Sequence, residues 1–115
     1  MGVIRWDSPI RLYTEGFPAD QVDKAIATWG VEMFEIVTDF KSADITADLD
    51  SSKVPTRGCS VVSQTISNNV ITKAVIHTAV DRPDGCYRGG KDALAIALAH
   101  ELGHSLGVFE DVAHP

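Results

Sequence analysis

Residues 93–107 read ALAIALAHELGHSLG. The seven small or branched apolar residues that precede the first histidine predict a buried helix, running from about Lys91 or Asp92 to Leu106. Gly107 stands where it can end this helix in a left-handed turn. Asp92 stands where it can cap the first turn or favour the positive end of the helix dipole. The stretch therefore indicates one well-delimited helix near the C-terminal end of the chain.

The polar end of this helix carries a pattern suited to metal chemistry. His100 and His104 are four residues apart, so they lie one above the other on one helix face and both imidazoles can reach a single metal ion. Glu101 lies between them and can take a proton from metal-bound water. Zn²⁺ lowers the pKa of such a water and polarises a carbonyl group. Two satisfied core histidines are the structural alternative for this pair.

The residues HELGHSLG at 100–107 resemble the zinc motif of the metzincin metallopeptidases, especially the matrixin-like branch. Upstream, the segment Ala25–Trp29 of a predicted helix and Ala43–Ile45 at the start of a predicted strand are also similar to that group. The resemblance implies a mixed sheet over two helices and a catalytic Zn²⁺ held by both histidines. It also implies that Glu101 acts as general base and acid. In the family an edge strand aligns the peptide substrate antiparallel in the cleft, and the segment Val70–Thr78 is assigned to this role.

The third zinc ligand departs from the usual pattern. Members of the family place a histidine three positions after the glycine, whereas this chain has Glu110 there. The snapalysin-like relatives place an aspartate at that position, and carboxylate oxygen is an accepted zinc ligand. Glu110 is therefore the predicted third ligand, and Asp111 and His114 remain as alternatives.

A second departure concerns the methionine-containing turn that lies below the metal in the family. The only methionines are Met1 and Met33, and both precede the motif. Residues 1–115 are accordingly interpreted as a single metzincin-like catalytic upper subdomain without the lower subdomain. Such a chain is either truncated or an unusually minimal domain.

The composition bounds the class of protein. A chain of 115 residues with 44% hydrophobic and 23% charged residues is expected to form one globular domain. No apolar run is long enough for a membrane span, and residues 1–9 lack the apolar core of a signal peptide. The localisation is left open between secretion after processing, the cytoplasm and a larger particle. The net charge of −6 and the scattered basic residues argue against nucleic-acid binding.

The hydropathy pattern predicts an α+β fold, in which a mixed, mostly parallel twisted sheet of about four to five strands packs on two helices. An N-terminal helix is expected from Ala19 or Asp20 to Met33, because apolar residues recur there at helical spacing. Alternating or β-branched segments predict the strands, with a hairpin turn at Ser67–Asn69. These segments are residues 10–14, 34–40, 43–49, 59–66 and 70–79.

Other polar residues are given structural interpretations. Cys59 and Cys86 either form one disulfide or remain two reduced thiols. His77 ends a β-run, and a structural or exposed role is favoured over metal ligation. The aspartates between residues 39 and 50 lack the spacing of an EF-hand, so a solvated acidic edge is favoured over a calcium site.

Two functional hypotheses follow. The first is a zinc-dependent endopeptidase that acts on a protein or peptide substrate, with Glu101 as catalytic residue and His100, His104 and Glu110 as metal ligands. The second is a non-catalytic zinc-binding structural or interaction module of a larger assembly, such as a virion or a secretion complex, in which a partner chain contacts the domain.

Overall fold

A computed structural model describes residues 9–55, 58–68, 70–79 and 90–106. The main elements of the described chain are β1 (Ile10–Glu15), α1 (Ala19–Trp29), β2 (Phe34–Ile36), β3 (Ile45–Asp48), β4 (Ser60–Ser67), β5 (Val70–Thr78) and α2 (Ala93–Ser105). The five strands form one sheet in the order β2-β1-β3-β5-β4. Strands β1, β2, β3 and β5 run parallel to one another, and β4 is antiparallel to β5. The predicted α+β class, with a mostly parallel sheet and two helices, is confirmed.

Local backbone chemistry sets the ends of several elements. Helix α1 stops at Trp29, earlier than expected, because Gly30 adopts a φ of 121° that ends the helix and redirects the chain. Residues Val31–Met33 form a short 3₁₀ turn instead. The hairpin between β4 and β5 turns through Asn68 at a φ of 54°, a left-handed conformation that asparagine tolerates. This placement agrees with the predicted turn.

The hydrophobic core lies between one face of the sheet and the two helices. Alternate residues of β1, β3 and β5 point into it, and they meet the apolar face of α1 and the buried side of α2. Burying a leucine- or isoleucine-sized side chain contributes about 1.5–3 kcal/mol, so this layer supplies most of the favourable free energy. The fully buried large side chains include Leu12, Ile45, Ile76, Leu98 and Leu102.

The assignment of Val70–Thr78 as the substrate-aligning edge strand is wrong. Strand β5 pairs with β3 on one side and with β4 on the other, so both of its edges are hydrogen-bonded within the sheet. A strand at the end of a sheet presents unpaired N–H and C=O groups, and an internal strand does not. Among the described residues, β4 and β2 occupy the two ends of the sheet.

The start of β4 is covalently tied. Cys59 is disulfide-bonded, and its carbonyl accepts a 2.9 Å hydrogen bond from the backbone N–H of Ala79 just beyond β5. Cys86, the only other cysteine in the sequence, lies outside the described residues.

Within the described part of the chain, neither helix is long and apolar enough to cross a bilayer.

A buried glutamine joins the two helices. Gln21 of α1 is 4% exposed, and its Oε1 accepts a 3.0 Å hydrogen bond from the backbone N–H of Ala95 in the first turn of α2. Its Nε2 donates a hydrogen bond to the carboxylate of Asp92. The same carboxylate accepts a 2.7 Å hydrogen bond from Nζ of Lys24. Asp92 makes no side-chain cap of its own helix, contrary to one of the roles considered for it. The capping oxygen comes from α1 instead.

We predict that Gln21→Ala lowers the free energy of unfolding by about 1–3 kcal/mol, because it leaves a buried backbone N–H without its acceptor. Urea denaturation followed by circular dichroism measures the change. Asp23→Ala, on the exposed side of the same helix, is the matched control and should change stability by less than about 0.5 kcal/mol. Equal effects of the two substitutions would contradict the assigned role of Gln21.

Candidate metal centre

The two motif histidines converge on a single point. Both lie in the last two turns of α2, and their Nε2 atoms are 3.2 Å apart. The ring centroids of His100 and His104 are 4.8 Å apart, and the rings are nearly perpendicular at 82°. Two imidazole nitrogens at about 2.0–2.1 Å from a tetrahedral zinc ion would be about 3.3–3.4 Å apart. The observed separation of the Nε2 atoms is close to that value, and it is also a hydrogen-bond distance, so the pair fits two positions of a tetrahedral centre as well as a hydrogen bond between the two rings.

Glu101 lies between the histidines along the helix and is almost fully buried. The residue is 3% exposed, and burial raises the pKa of its carboxyl group from 4.5 to about 7. Burial in a medium of low polarity disfavours the charged form of a carboxyl group, which is the physical cause of the shift. A group that titrates near neutrality can both accept and release a proton under physiological conditions.

Three side chains from other elements hold α2 at successive levels. Gln21 contacts the first turn of the helix, as described above. Trp29 of α1 donates from Nε1 to the carbonyl of Ala99 at 2.8 Å, directly before the first histidine. Gln64 of β4 donates from Nε2 to the carbonyl of His104. These contacts fix both the position of the helix along its axis and its rotation about that axis.

The sequence analysis missed Gln21 and Gln64 as determinants of this site and gave Trp29 no role in positioning the metal helix. A buried tryptophan N–H usually finds a hydrogen-bond acceptor, so the sequence could have indicated that Trp29 bonds to a neighbouring element. Nothing in the sequence indicated that the two glutamines contact α2, because a single polar residue in an amphipathic or alternating segment normally faces solvent. Their role depends on which elements become neighbours in the folded chain.

The C-terminal end of α2 is also closed by local hydrogen bonds. Ser105 is fully buried, and its Oγ donates to the carbonyl of Glu101 at 3.0 Å. The backbone N–H of Leu106 bonds to the carbonyl of Leu102 at 2.9 Å, so the helical pattern persists to the end of the described segment. His104 is consequently held on a regular turn of the helix, at 9% exposure.

The predicted third zinc ligand lies outside the described residues. Glu110 and the alternatives Asp111 and His114 all lie beyond residue 106, the last described position. Within residues 9–55, 58–68, 70–79 and 90–106, no three His, Cys, Asp or Glu side chains form a metal-binding group. The described part of the site is therefore a pair of nitrogen donors with an adjacent buried carboxyl group.

Comparisons with known proteins give no relative for this chain: no protein-family model, no curated protein and no solved structure matches it significantly.

The raised pKa of Glu101 predicts a pH-dependent stability of the metal-free protein. Because the folded-state pKa lies above the unfolded value of 4.5, the native state binds this proton more tightly than the unfolded chain does. The resulting stabilisation is fully present below pH 4.5 and is lost as the pH rises through about 7. In the presence of a chelator, Glu101→Gln should therefore gain roughly 3 kcal/mol relative to the unsubstituted protein between pH 4.5 and pH 8.

Urea denaturation at a series of pH values measures this difference, since effects of all other titrating groups cancel between the two proteins. Glu35→Gln removes a carboxyl group at an exposed position of β2 and is the control, for which we expect no comparable gain in stability. A constant difference between Glu101→Gln and the unsubstituted protein would contradict the assigned pKa.

Proposed function

We propose that the chain is a metzincin-like, zinc-dependent endopeptidase that hydrolyses peptide bonds with Glu101 as general base. The observation that supports this most directly is the 3.2 Å approach of the two imidazole Nε2 atoms on one buried helix, with a buried carboxyl group between them in sequence. The resemblance of residues 100–107 to the zinc motif of that family supports the same proposal.

The donor set suits zinc. His100 and His104 supply two imidazole nitrogens, and Glu110 is the proposed third donor, with Asp111 and His114 as alternatives. Histidine nitrogen and carboxylate oxygen are both regular zinc ligands, and three protein ligands leave a position open for chemistry. When bound, zinc supplies Lewis-acid polarisation of a carbonyl group and lowers the pKa of a water molecule.

Glu101 is proposed to move the proton. Its carboxylate accepts a proton from the attacking water and later delivers it to the amine that leaves when the peptide bond breaks. Positioned general acid–base catalysis of this kind contributes typically 10²–10⁴-fold to the rate. The buried position of the carboxyl group on a rigid helix holds it in place for both transfers.

Strand β4 takes the role of substrate-aligning strand that the sequence analysis assigned to β5. It ends the sheet among the strands that the structure describes, and residues Ser63 to Ser67 are exposed. Gln64 links it directly to His104, so a peptide added along its outer edge lies beside the histidine pair. Such an added strand gains affinity from main-chain hydrogen bonds and therefore accepts many sequences. The proposed substrate is accordingly an extended segment of a protein or peptide.

The metal and proton-transfer roles can be separated by substitution. His104→Ala should lower zinc affinity by more than about 100-fold, since loss of outer-shell partners alone costs 10–100-fold. Glu101→Gln should keep one zinc ion and lower kcat by at least about 100-fold. Zinc content by elemental analysis after dialysis and cleavage of a quenched-fluorescence peptide library measure the two effects.

Glu35→Gln is the control for both measurements and should retain metal and activity. If Glu101→Gln were as active as the unsubstituted protein, the catalytic role would be wrong. If the zinc protein cleaved no peptide and unfolded on chelation, the alternative of a non-catalytic zinc-binding structural or interaction module would replace the endopeptidase.

Gln64 is predicted to couple the substrate strand to the metal helix. Gln64→Leu removes the donor to the His104 carbonyl and should lower kcat/KM by roughly 10-fold, equivalent to one hydrogen bond of about 1–1.5 kcal/mol. Zinc content should stay at one ion per chain. Thr65→Val, at the next exposed position of β4, is the matched control and should leave kcat/KM within about twofold. An unchanged kcat/KM in Gln64→Leu would contradict the coupling.

A further inference from the structure

The face of the sheet opposite to the helices carries a cleft of about 290 Å³. The strand register sets two rows of side chains across this outer face. One row consists of Tyr13, Thr46 and Val75, which are register partners on β1, β3 and β5. Because side chains alternate between the two faces of a strand, residues two positions further on share the same face and form a second row.

The second row is polar and runs through Glu15, Asp48 and His77. Glu15 is the register partner of Asp48, and Asp48 is the register partner of His77. His77 is largely buried at 18% side-chain exposure, and its Nδ1 lies 2.8 Å from Asp48 Oδ1. With Nδ1 donating to the carboxylate, Nε2 is the ring nitrogen that can accept a hydrogen bond from a ligand.

Aromatic rings form one wall of the cleft. Tyr13 and Phe40 lie with their ring centroids 6.3 Å apart and their planes at 59°. The Tyr13 hydroxyl donates to Glu15 Oε1 at 3.2 Å, which orients that carboxylate beside the rings. Phe40 is 58% exposed, a large apolar area for a side chain that closes no part of the core. An aromatic wall next to a carboxylate is the chemistry that attracts planar organic cations.

The charges in the cleft favour a cation as well. Glu15 and Asp48 lie directly opposite each other on strands about 4.8 Å apart, so their negative charges repel. Lys53 offsets this only in part, since its Nζ is 3.9 Å from Asp48 Oδ2 and 3.6 Å from Asp50 Oδ2, and it is half exposed. Long, exposed contacts of this kind contribute little and are readily exchanged. A cation seated between the two carboxylates removes their repulsion.

We propose that this cleft binds a guanidinium group, presented by an arginine side chain of a peptide or by a small free guanidinium compound. The planar guanidinium packs against the Tyr13 and Phe40 rings and donates to the carboxylates of Glu15 and Asp48 and, when the His77 ring is neutral, to its Nε2. A volume of about 290 Å³ accommodates one such side chain. The site lies on the opposite face of the sheet from the histidine pair of α2 and does not depend on the proposed hydrolase activity.

Titration of the 115-residue chain with N-acetyl-arginine amide, followed by two-dimensional ¹H–¹⁵N NMR, tests the proposal. Saturable shifts are expected at backbone amides of β1, β3 and β5 around the two rows. N-acetyl-citrulline amide has the same shape without the charge and should bind at least about 10-fold more weakly. A glycine-flanked arginine tripeptide separates the two sources: tighter binding of the tripeptide assigns a peptide ligand, and equal or weaker binding assigns a small molecule.

Matched substitutions locate the site. Asp48→Asn, Glu15→Gln and Phe40→Ala should each weaken binding by at least about fivefold. Asp23→Asn on α1 and Val31→Ala, an exposed apolar residue outside the cleft, should leave it unchanged. Absence of saturable shifts, equal binding of the citrulline compound, or insensitivity to all three cleft substitutions would overturn the proposal. Glu15→Gln and Phe40→Ala change exposed side chains, so the test does not depend on the partly buried Asp48–His77 pair.

Discussion

Rotation of helix α2 about its own axis is the variable on which the rest of the site depends. An α-helix turns by about 100° per residue, so a roll of the helix by one position would turn the histidine pair as a unit away from its present position relative to β4. Apolar packing alone resists such a roll weakly, because α2 is apolar around much of its circumference. Directional contacts at three levels remove this freedom. The backbone N–H of Ala95 donates to Gln21, the carbonyl of Ala99 accepts from Trp29, and the carbonyl of His104 accepts from Gln64.

These three contacts come from both layers of the domain. Two come from α1 and one comes from the edge strand β4, so the helix is held between its neighbour helix and the sheet. The strand proposed to align the substrate, which ends the sheet among the described strands, is thereby tied to the end of the helix that carries the histidine pair. One hydrogen bond, from Gln64 to the carbonyl of His104, joins β4 to this end of the helix. The proposed substrate strand and the proposed metal ligands are in this way parts of one rigid arrangement.

The sequence predicted the class of fold well because its signals were local. Alternation marked β1, β3 and the hairpin, helical spacing marked α1, and the unbroken apolar run marked α2. It failed where the outcome depends on neighbours in space. The position of β5 inside the sheet follows from pairing with β3, which is distant in sequence, and its β-branched composition fits an internal strand better than an edge. The capping of α2 by Gln21, instead of by the adjacent Asp92, has the same cause.

The metal centre shows the same division between local and non-local information. Spacing on a helix predicted that His100 and His104 would converge, and their 3.2 Å approach agrees with that prediction. No spacing rule predicted the extent to which Glu101 is buried, since this depends on the packing around the whole helix. The buried position bears on the choice between the two functional hypotheses. A site that only stabilises the fold needs ligands for its metal, and an additional buried carboxyl group between them lowers stability whenever it is charged. A hydrolase requires a held proton acceptor at that place, and the burial of Glu101 therefore favours the catalytic proposal over the structural module.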